Sequence, residues 1–196
     1  TVLHEDSIFP VKLAGIPINI RNTNRPSDPG TMIVPAADSY GESVITGIAG
    51  KKGFAVVHIE KDMMNQELGF GMRVLQVLND MGMCFEHLPS GIDTMGVVLD
   101  EKVIAGKERE ILAAIARATE PDHIEIEQGP SLFAVVGRGM IKTPGTASGV
   151  FAAVARAGIN VRMIDQGSSE LNIILAVEEK DFDRAIDTIY REFIHA

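Results

Sequence analysis

The chain is short of cysteine, aromatic residues, positive charge and long apolar runs, and each shortage excludes something. Only one cysteine, Cys84, stands in 196 residues, so no internal disulfide framework can form, and that residue is expected to be a small buried side chain. Aromatic residues make up 5% of the chain, and no strand carries the aromatic-rich signature with which RNA-recognition domains stack bases. A formal net charge of −9 disfavours a nucleic-acid role that needs a basic face, while leaving a small cationic ligand open. No apolar run approaches the length that crosses a bilayer, and the N-terminus has neither a basic segment nor a signal-like apolar core. The expected location is therefore cytoplasmic, with no membrane and no nucleic acid as partner. What remains is the 45% hydrophobic content of an ordinary soluble protein, enough for one large or two small domains with real cores.

Recognisable catalytic and metal chemistry is missing as well. His4, His58, His87, His123 and His195 have no paired metal-ligand spacing and read as surface or locally bonded imidazoles. Gly137-Arg138-Gly139 begins like a phosphate loop, but Met140-Ile141-Lys142 supplies neither the third glycine nor a Walker pattern. Ser168 and Ser169 precede Glu170 without a histidine in a nucleophile arrangement, so a polar hairpin is the better reading. No catalytic residue and no metal ligand is assigned.

What the chain does have is an internal repeat. Residues 158–177 read as two short strands around a polar turn, and residues 82–99 are a weaker copy. One offset pairs Gly69 with Gly145, Gly82 with Gly158, Gly91 with Gly167 and Leu99 with Leu175. Two copies of a small sheet unit offer a place to bind something between them.

Each copy reads as βαββαβ, the split ferredoxin-like unit. In the first, a strand at 54–59 precedes a helix with Val74, Val77, Leu78 and Met81 at helical spacing, closed by Gly82. Strands at 83–88 and 94–99, a helix around 107–118 and a strand at 124–127 follow. In the second, a strand at 132–136 leads to a helix carrying Ala147, Val150, Phe151, Val154 and Ala155, then the opening hairpin, then a helix with Phe182, Ala185, Ile186, Ile189 and Phe193 in one stripe, for which Asp181 is the expected N-cap. That copy is one strand short. Residues 44–49 are the expected donor, which would insert the first unit within the second. Residues 1–43 read as a short helix ending near Gly15, two brief strands at 16–20 and 31–34, and a turn-rich loop, too little to bury a core alone.

The helix starts at Gly69-Phe70-Gly71 and Thr143-Pro144-Gly145 combine free backbone N–H groups with glycine, which suits a carboxylate. Glu86 and Asp93 in the first copy, and Asp165 and Glu170 in the second, stand near strand ends where they could hold an ammonium group. Together these describe a site for an amino-acid zwitterion. Turn geometry and solvated strand ends account for the same residues without any ligand.

At this point the residues resemble a family. Val135-Val136-Gly137-Arg138-Gly139-Met140, Pro144-Gly145, Gly158-Ile159-Asn160-Val161 and Ser168-Ser169-Glu170-Leu171-Asn172-Ile173 closely resemble the paired ACT domains of aspartate kinases. Val2-Leu3-His4, Gly15-Ile16-Pro17-Ile18, Asn22-Thr23 and Pro29-Gly30-Thr31 are similar to the last part of the amino-acid kinase domain that precedes those units, apart from Glu5, where the family usually has proline. The resemblance implies an α+β fold of two ferredoxin-like ACT units, the first at 54–130 and the second at 44–53 plus 131–196, after a kinase-domain remnant at 1–43. It implies a parent reaction, ATP-dependent phosphorylation of the β-carboxylate of aspartate with ATP and Mg. It also implies that this chain, lacking the lysine-phenylalanine-glycine-glycine nucleotide motif and nearly all of the kinase sheet, uses no cofactor and does not perform that reaction itself.

The resemblance further implies feedback regulation by an end-product amino acid bound between ACT units. Carried over by position, Met63, Met64, Gly69, Phe70 and Gly71 would face the effector carboxylate, Cys84, Phe85 and Glu86 would meet its amino group, and Ser90, Gly91, Ile92 and Asp93 would close the site. Asn160, Asp165, Ser169 and Glu170 are secondary candidates between units. Where lysine-inhibited members often have Thr-Ser-Glu, this chain has Ser90-Gly91-Ile92. Acidic Glu86 and Asp93 favour L-lysine over L-threonine as effector. A homodimer through the ACT units and a missing N-terminal kinase domain are the implied protein partners. The competing reading is an assembly module with a vestigial ligand site.

Overall fold

Residues 5–34 and 44–194 are described by the computed structural model, and they fall into an N-terminal segment and a main body, separate units that divide after Glu42. Val2, Leu3, His4 and His195 lie outside the described residues. The N-terminal segment has helix α1 (Glu5–Leu13), strand β1 (Ile18–Ile20) and strand β2 (Thr31–Ile33), the two strands pairing antiparallel with Ile18 opposite Ile33. The helix stops at Gly15, whose φ of 66° lies in the left-handed region that glycine enters without penalty.

The main body follows the expected alternation. It contains β3 (Gly47–Lys51), β4 (Phe54–Glu60), α2 (Phe70–Asp80), β5 (Thr94–Asp100), α3 (Glu101–Ile104), α4 (Glu108–Thr119), β6 (His123–Gln128), β7 (Pro130–Val136), α5 (Thr146–Arg156), β8 (Met163–Asp165), β9 (Asn172–Glu178) and α6 (Phe182–Ile194). Two antiparallel sheets result, one ordered β5-β4-β6 and one ordered β3-β7-β9-β8. In the second sheet Ala49 faces Ala134 across the β3–β7 pairing and Phe133 faces Leu175 across β7–β9. We call the first sheet with its helices module 1 and the second with its helices module 2.

The strand residues explain why two modules sit together. In β4, Ala55, Val57 and Ile59 point to one face and join Phe70, Val74, Leu78, Ile111 and Ile115 of α2 and α4 in a buried core. Phe54 and Val56 point the other way, with Val98 of β5, and form a second cluster with Leu132 and Ala176 of module 2. Module 2 repeats the pattern, with Phe133, Val135, Ile173, Leu175 and Val177 turned to α5 and α6. The uninterrupted apolar run of β4 therefore reflects burial on both faces. The two sheets meet face to face through a small apolar seam.

Three expectations are corrected. Residues 83–88 form no regular strand; the segment runs along the edge of β5 through single bridges, His87 with Val98 and Ser90 with Met95. Glu86 N–H donates to the Val98 carbonyl and Val98 N–H to the His87 carbonyl, both at 2.9 Å, so two residues oppose one, and Pro89, having no N–H, offers Gly96 only its carbonyl; the pairing stays broken into single bridges. Cys84 is exposed rather than buried: Met83 enters the module 1 core and the chain then leaves it, with Cys84, Phe85 and Glu86 all exposed. The donor segment at 44–49 contributes its strand two to three residues later, at Gly47–Lys51, while Ile45 is fully buried in the module 2 core.

Candidate functional site

The loop after β4 is built around Met63, which holds φ 60°, a left-handed conformation costly for a side chain with a Cβ. It is held there by the turn before β5. Asp93 Oδ1 accepts the Met63 N–H at 2.9 Å, the Asp93 carbonyl accepts the Lys61 N–H at 2.9 Å, and the Ile92 carbonyl accepts the Asn65 N–H at 3.1 Å. Module 2 repeats the device: Lys142, at φ 56°, donates its N–H to Glu170 Oε2 at 2.7 Å. Of the four carboxylates expected to hold a ligand's ammonium group, Asp93 and Glu170 thus already accept a backbone N–H.

Next to this loop, Gly69 at φ 78° starts α2 with no side-chain cap and no acidic residue in the first turn. The positive end of the helix dipole and its leading N–H groups are therefore left uncompensated by side chains, an arrangement suited to a carboxylate. Phe70 and Met64 are buried in the module 1 core, so only their backbones can face a ligand, whereas the Met63 and Ile92 side chains are exposed. Glu67 lies between two cations here: Lys61 Nζ approaches it at 3.0 Å, and Arg73 pairs with its other oxygen. Lys61 also donates to the Thr119 and Glu120 carbonyls at 2.8 and 3.0 Å, tying the loop to the end of α4. Nothing in the sequence pattern marked Lys61, Glu67 and Arg73 as a set.

The remaining site residues lie elsewhere in the same chain. Cys84 and Phe85 line a shallow depression with Leu75, Leu78 and Asn79, on the C-terminal half of α2. Leu75 and Asn79 stand about 9 and 15 Å along the helix from Gly69, so these two side chains are remote from its start. Glu86 lies toward module 2, where Lys51 Nζ is 3.9 Å away. Lys51 bonds more closely to Asp100, at 2.7 Å across the seam. That bond, followed by the N–H of Lys102, holds the Asp100 carboxyl below its ordinary range, and the same bond raises the Lys51 ammonium.

A cleft of about 290 Å³ opens along the seam between the sheets. Val56, Met95, Gly96, Met163 and Ala176 give it apolar walls, and Pro89, Ser90 and Gly91 of the turn form one side. Its polar side is a chain of three: Arg162 Nη2 of module 2 donates to Glu127 of module 1 at 2.6 and 2.7 Å, and Glu127 Oε2 lies 3.1 Å from His58 Nε2. A second contact crosses nearby, His87 Nε2 being 3.4 Å from Asp165 Oδ2. The nitrogen is buried without hydrogen-bond alignment, so proximity is all this pair has. Of the secondary candidates, Asp165 thus reaches module 1, Glu170 holds its own loop, Ser169 Oγ accepts the Leu171 N–H at 3.5 Å, and Asn160 is exposed. Among the described residues no three His, Cys, Asp or Glu side chains gather for a metal ion, and no helix is long and apolar enough to cross a membrane. The segment that begins like a phosphate loop has a packing role instead: a Cβ on Gly137 would lie 2.9 Å from the Cα of Ile45.

Comparison with known proteins adds the family. Residues 133–193 match the model of the ACT domain. The chain is 38% identical to Aspartokinase 3 of Bacillus subtilis over 98% of its own length and 42% of that protein's. It superposes on the crystal structure of the aspartate kinase of Clostridium acetobutylicum, described as an allosteric enzyme, with a TM-score of 0.89 and 48% identity, over 97% of this chain and 45% of that one. The fold also matches E. coli aspartokinase III, solved in complex with lysine and aspartate, with a TM-score of 0.74 at 19% identity over 98% of this chain and 42% of that one. The chain thus spans less than half the length of these relatives. Residues 133–193 thus match an ACT domain, and the chain over nearly its whole length is similar to part of known aspartokinases.

Proposed function

We propose that this chain is the regulatory part of an aspartate kinase and binds an end-product amino acid, L-lysine in preference to L-threonine. The observation that carries this reading is the joining of the Met63 loop, the Ile92–Asp93 turn and the uncapped start of α2 into one surface. The effector carboxylate sits at the Gly69-Phe70-Gly71 turn, on the N–H groups of Gly69 and Gly71, since the Phe70 N–H already donates to the Glu67 carbonyl at 3.2 Å. A cationic side chain suits the acidic edge supplied by Glu86 and Asp93. Since Cys84 and Phe85 pack against the C-terminal half of α2 and Glu86 turns toward module 2, these three serve the site of a second copy in a homodimer. The parent enzyme phosphorylates L-aspartate from ATP and Mg to 4-phospho-L-aspartate, in the cytoplasm, through a kinase domain of which residues 1–43 are the last part. Residues 54–130 form one ACT domain, and residues 44–53 with 131–196 form the other. Effector affinity that differs between two arrangements of these domains is what makes binding inhibitory.

A thermal-shift panel of the twenty amino acids on this chain tests the reading, since a ligand specific for the folded state raises its stability. A selective rise with lysine, or with threonine, is expected, together with a dimer on gel filtration. A dimer that no amino acid stabilises would instead make this an assembly module with a vestigial site.

A further inference from the structure

The turn at residues 89–93 belongs to two sites at once. On one side Ile92 and Asp93 hold the Met63 loop through the Asn65, Met63 and Lys61 N–H groups. On the other, Pro89, Ser90 and Gly91 form a wall of the inter-sheet cleft opposite Arg162, Met163 and Ala176 of module 2. Little slack separates the two sides. Gly91 N–H donates to the Thr94 carbonyl at 2.7 Å and Gly96 N–H to the Pro89 carbonyl at 2.8 Å, so the turn is closed twice over. Pro89 has a fixed φ and rests on Gly96, where even a single added Cβ would come within 3.0 Å of the proline ring. A displacement of Asp93 is therefore passed to Ser90 and Pro89 rather than absorbed between them.

We infer that the 89–93 turn is the coupling element of this chain, passing the state of the Met63 loop to Arg162 and β8 of module 2. The loop has two states, one with Met63 held left-handed by Asp93 and one released. Release lets the turn move, and the movement is read by the Arg162–Glu127–His58 chain and by the contact of His87 with Asp165. A ligand that engages the loop biases these states, which is the physical requirement for coupling. The ligand step rests on the effector reading above. The mechanical link does not.

Amide hydrogen exchange on the intact chain tests the link without any ligand. Asp93→Ala is expected to speed exchange in residues 61–66 and, by roughly fivefold or more, in residues 160–166. Asp93→Asn, whose side-chain oxygen can accept the same N–H, restores both, and α6 stays unchanged in either variant. By reciprocity, Arg162→Ala speeds exchange in residues 61–66, and this arm decides the matter should Asp93→Ala fail to fold. Unchanged exchange at 160–166 in Asp93→Ala, or at 61–66 in Arg162→Ala, overturns the inference. A third arm adds lysine and threonine to the wild-type chain. Absence of binding refutes the effector reading and leaves the variants to judge the link, whereas binding that leaves 160–166 unaltered refutes the link.

Discussion

Asp93 accepts the backbone N–H of Met63 at 2.9 Å and thereby holds a non-glycine residue at φ 60°. Glu170 holds Lys142 in the same way in module 2, at 2.7 Å and φ 56°. The repeat therefore extends beyond aligned glycines to a shared device, a carboxylate from the second hairpin clamping a strained residue in the first loop. Because both carboxylates are bonded to backbone, an effector's ammonium group must share them or bind elsewhere. Glu170→Ala should lower stability by about 1–2 kcal/mol in urea unfolding, at the low end because the site is exposed. Lys142→Gly should raise it by roughly 0.5–1 kcal/mol, since glycine occupies the left-handed region without strain.

Leu99 and Leu175, equivalent in the repeat, are both fully buried, one in each module's core. Either leucine changed to alanine should cost about 2–5 kcal/mol. Calorimetry of the two variants then reports on cooperativity. Because Phe54, Val56, Val98, Leu132 and Ala176 bury a shared seam, each substitution should lower the whole main-body transition rather than split off one module.

Gly137 adopts extended backbone at φ −175°, so its need for glycine is one of space and not of conformation. A methyl group there meets the backbone of Val44 and Ile45, where residues 44–46 join the sheet through the Thr46 N–H bond to the Val136 carbonyl at 2.7 Å. Gly137→Ala should destabilise by about 3 kcal/mol or more, because main chain cannot rotate away as a side chain can. Denaturant midpoints check this, with Gly139→Ala as the comparison.

The Lys51–Asp100 bond ties β3 to β5 and predicts a pH dependence. Asp100 has its folded pKa lowered, so its contribution is present above the ordinary value of 3.8 and disappears as pH falls through the lower folded value. Lys51 is raised, so its contribution is present below 10.5 and disappears as pH rises through the higher folded value. Asp100→Asn removes the charge, while its side-chain oxygen can still cap α3, where Asp100 Oδ1 accepts the Lys102 N–H at 2.9 Å. Urea unfolding should show a wild-type advantage over this variant at pH 6 that shrinks below pH 3.8.

Much of the fold was legible because it is local or periodic. The apolar stripe of α2 and the closing Gly82 located that helix, and Leu132 to Val136 read as a strand from composition alone. Residues 83–88 depart from the expected strand for a local reason too: their β-forming composition does not reveal that Glu86 and His87 together oppose Val98 or that Cys84 faces outward. The candidate site was legible only in pieces. Met63, Ile92 and Asp93 could be named by resemblance, but the clamp between them depends on a backbone angle that methionine rarely adopts. Lys61, Glu67 and Arg73 went unnoticed, since scattered charges carry no signal until folding gathers them.

The sequence by itself determined the repeat, the order of most strands and helices, and which residues face each module's helices, because periodicity and glycine placement are properties of neighbours along the chain. Only the tertiary structure decided that Phe54 and Val56 meet Leu132 and Ala176, that Arg162 finds Glu127 35 residues away, and that one turn serves both the Met63 loop and the seam. Those pairings are set by how two finished sheets exclude water from their outer faces, and no local pattern encodes which residues will then lie opposite one another.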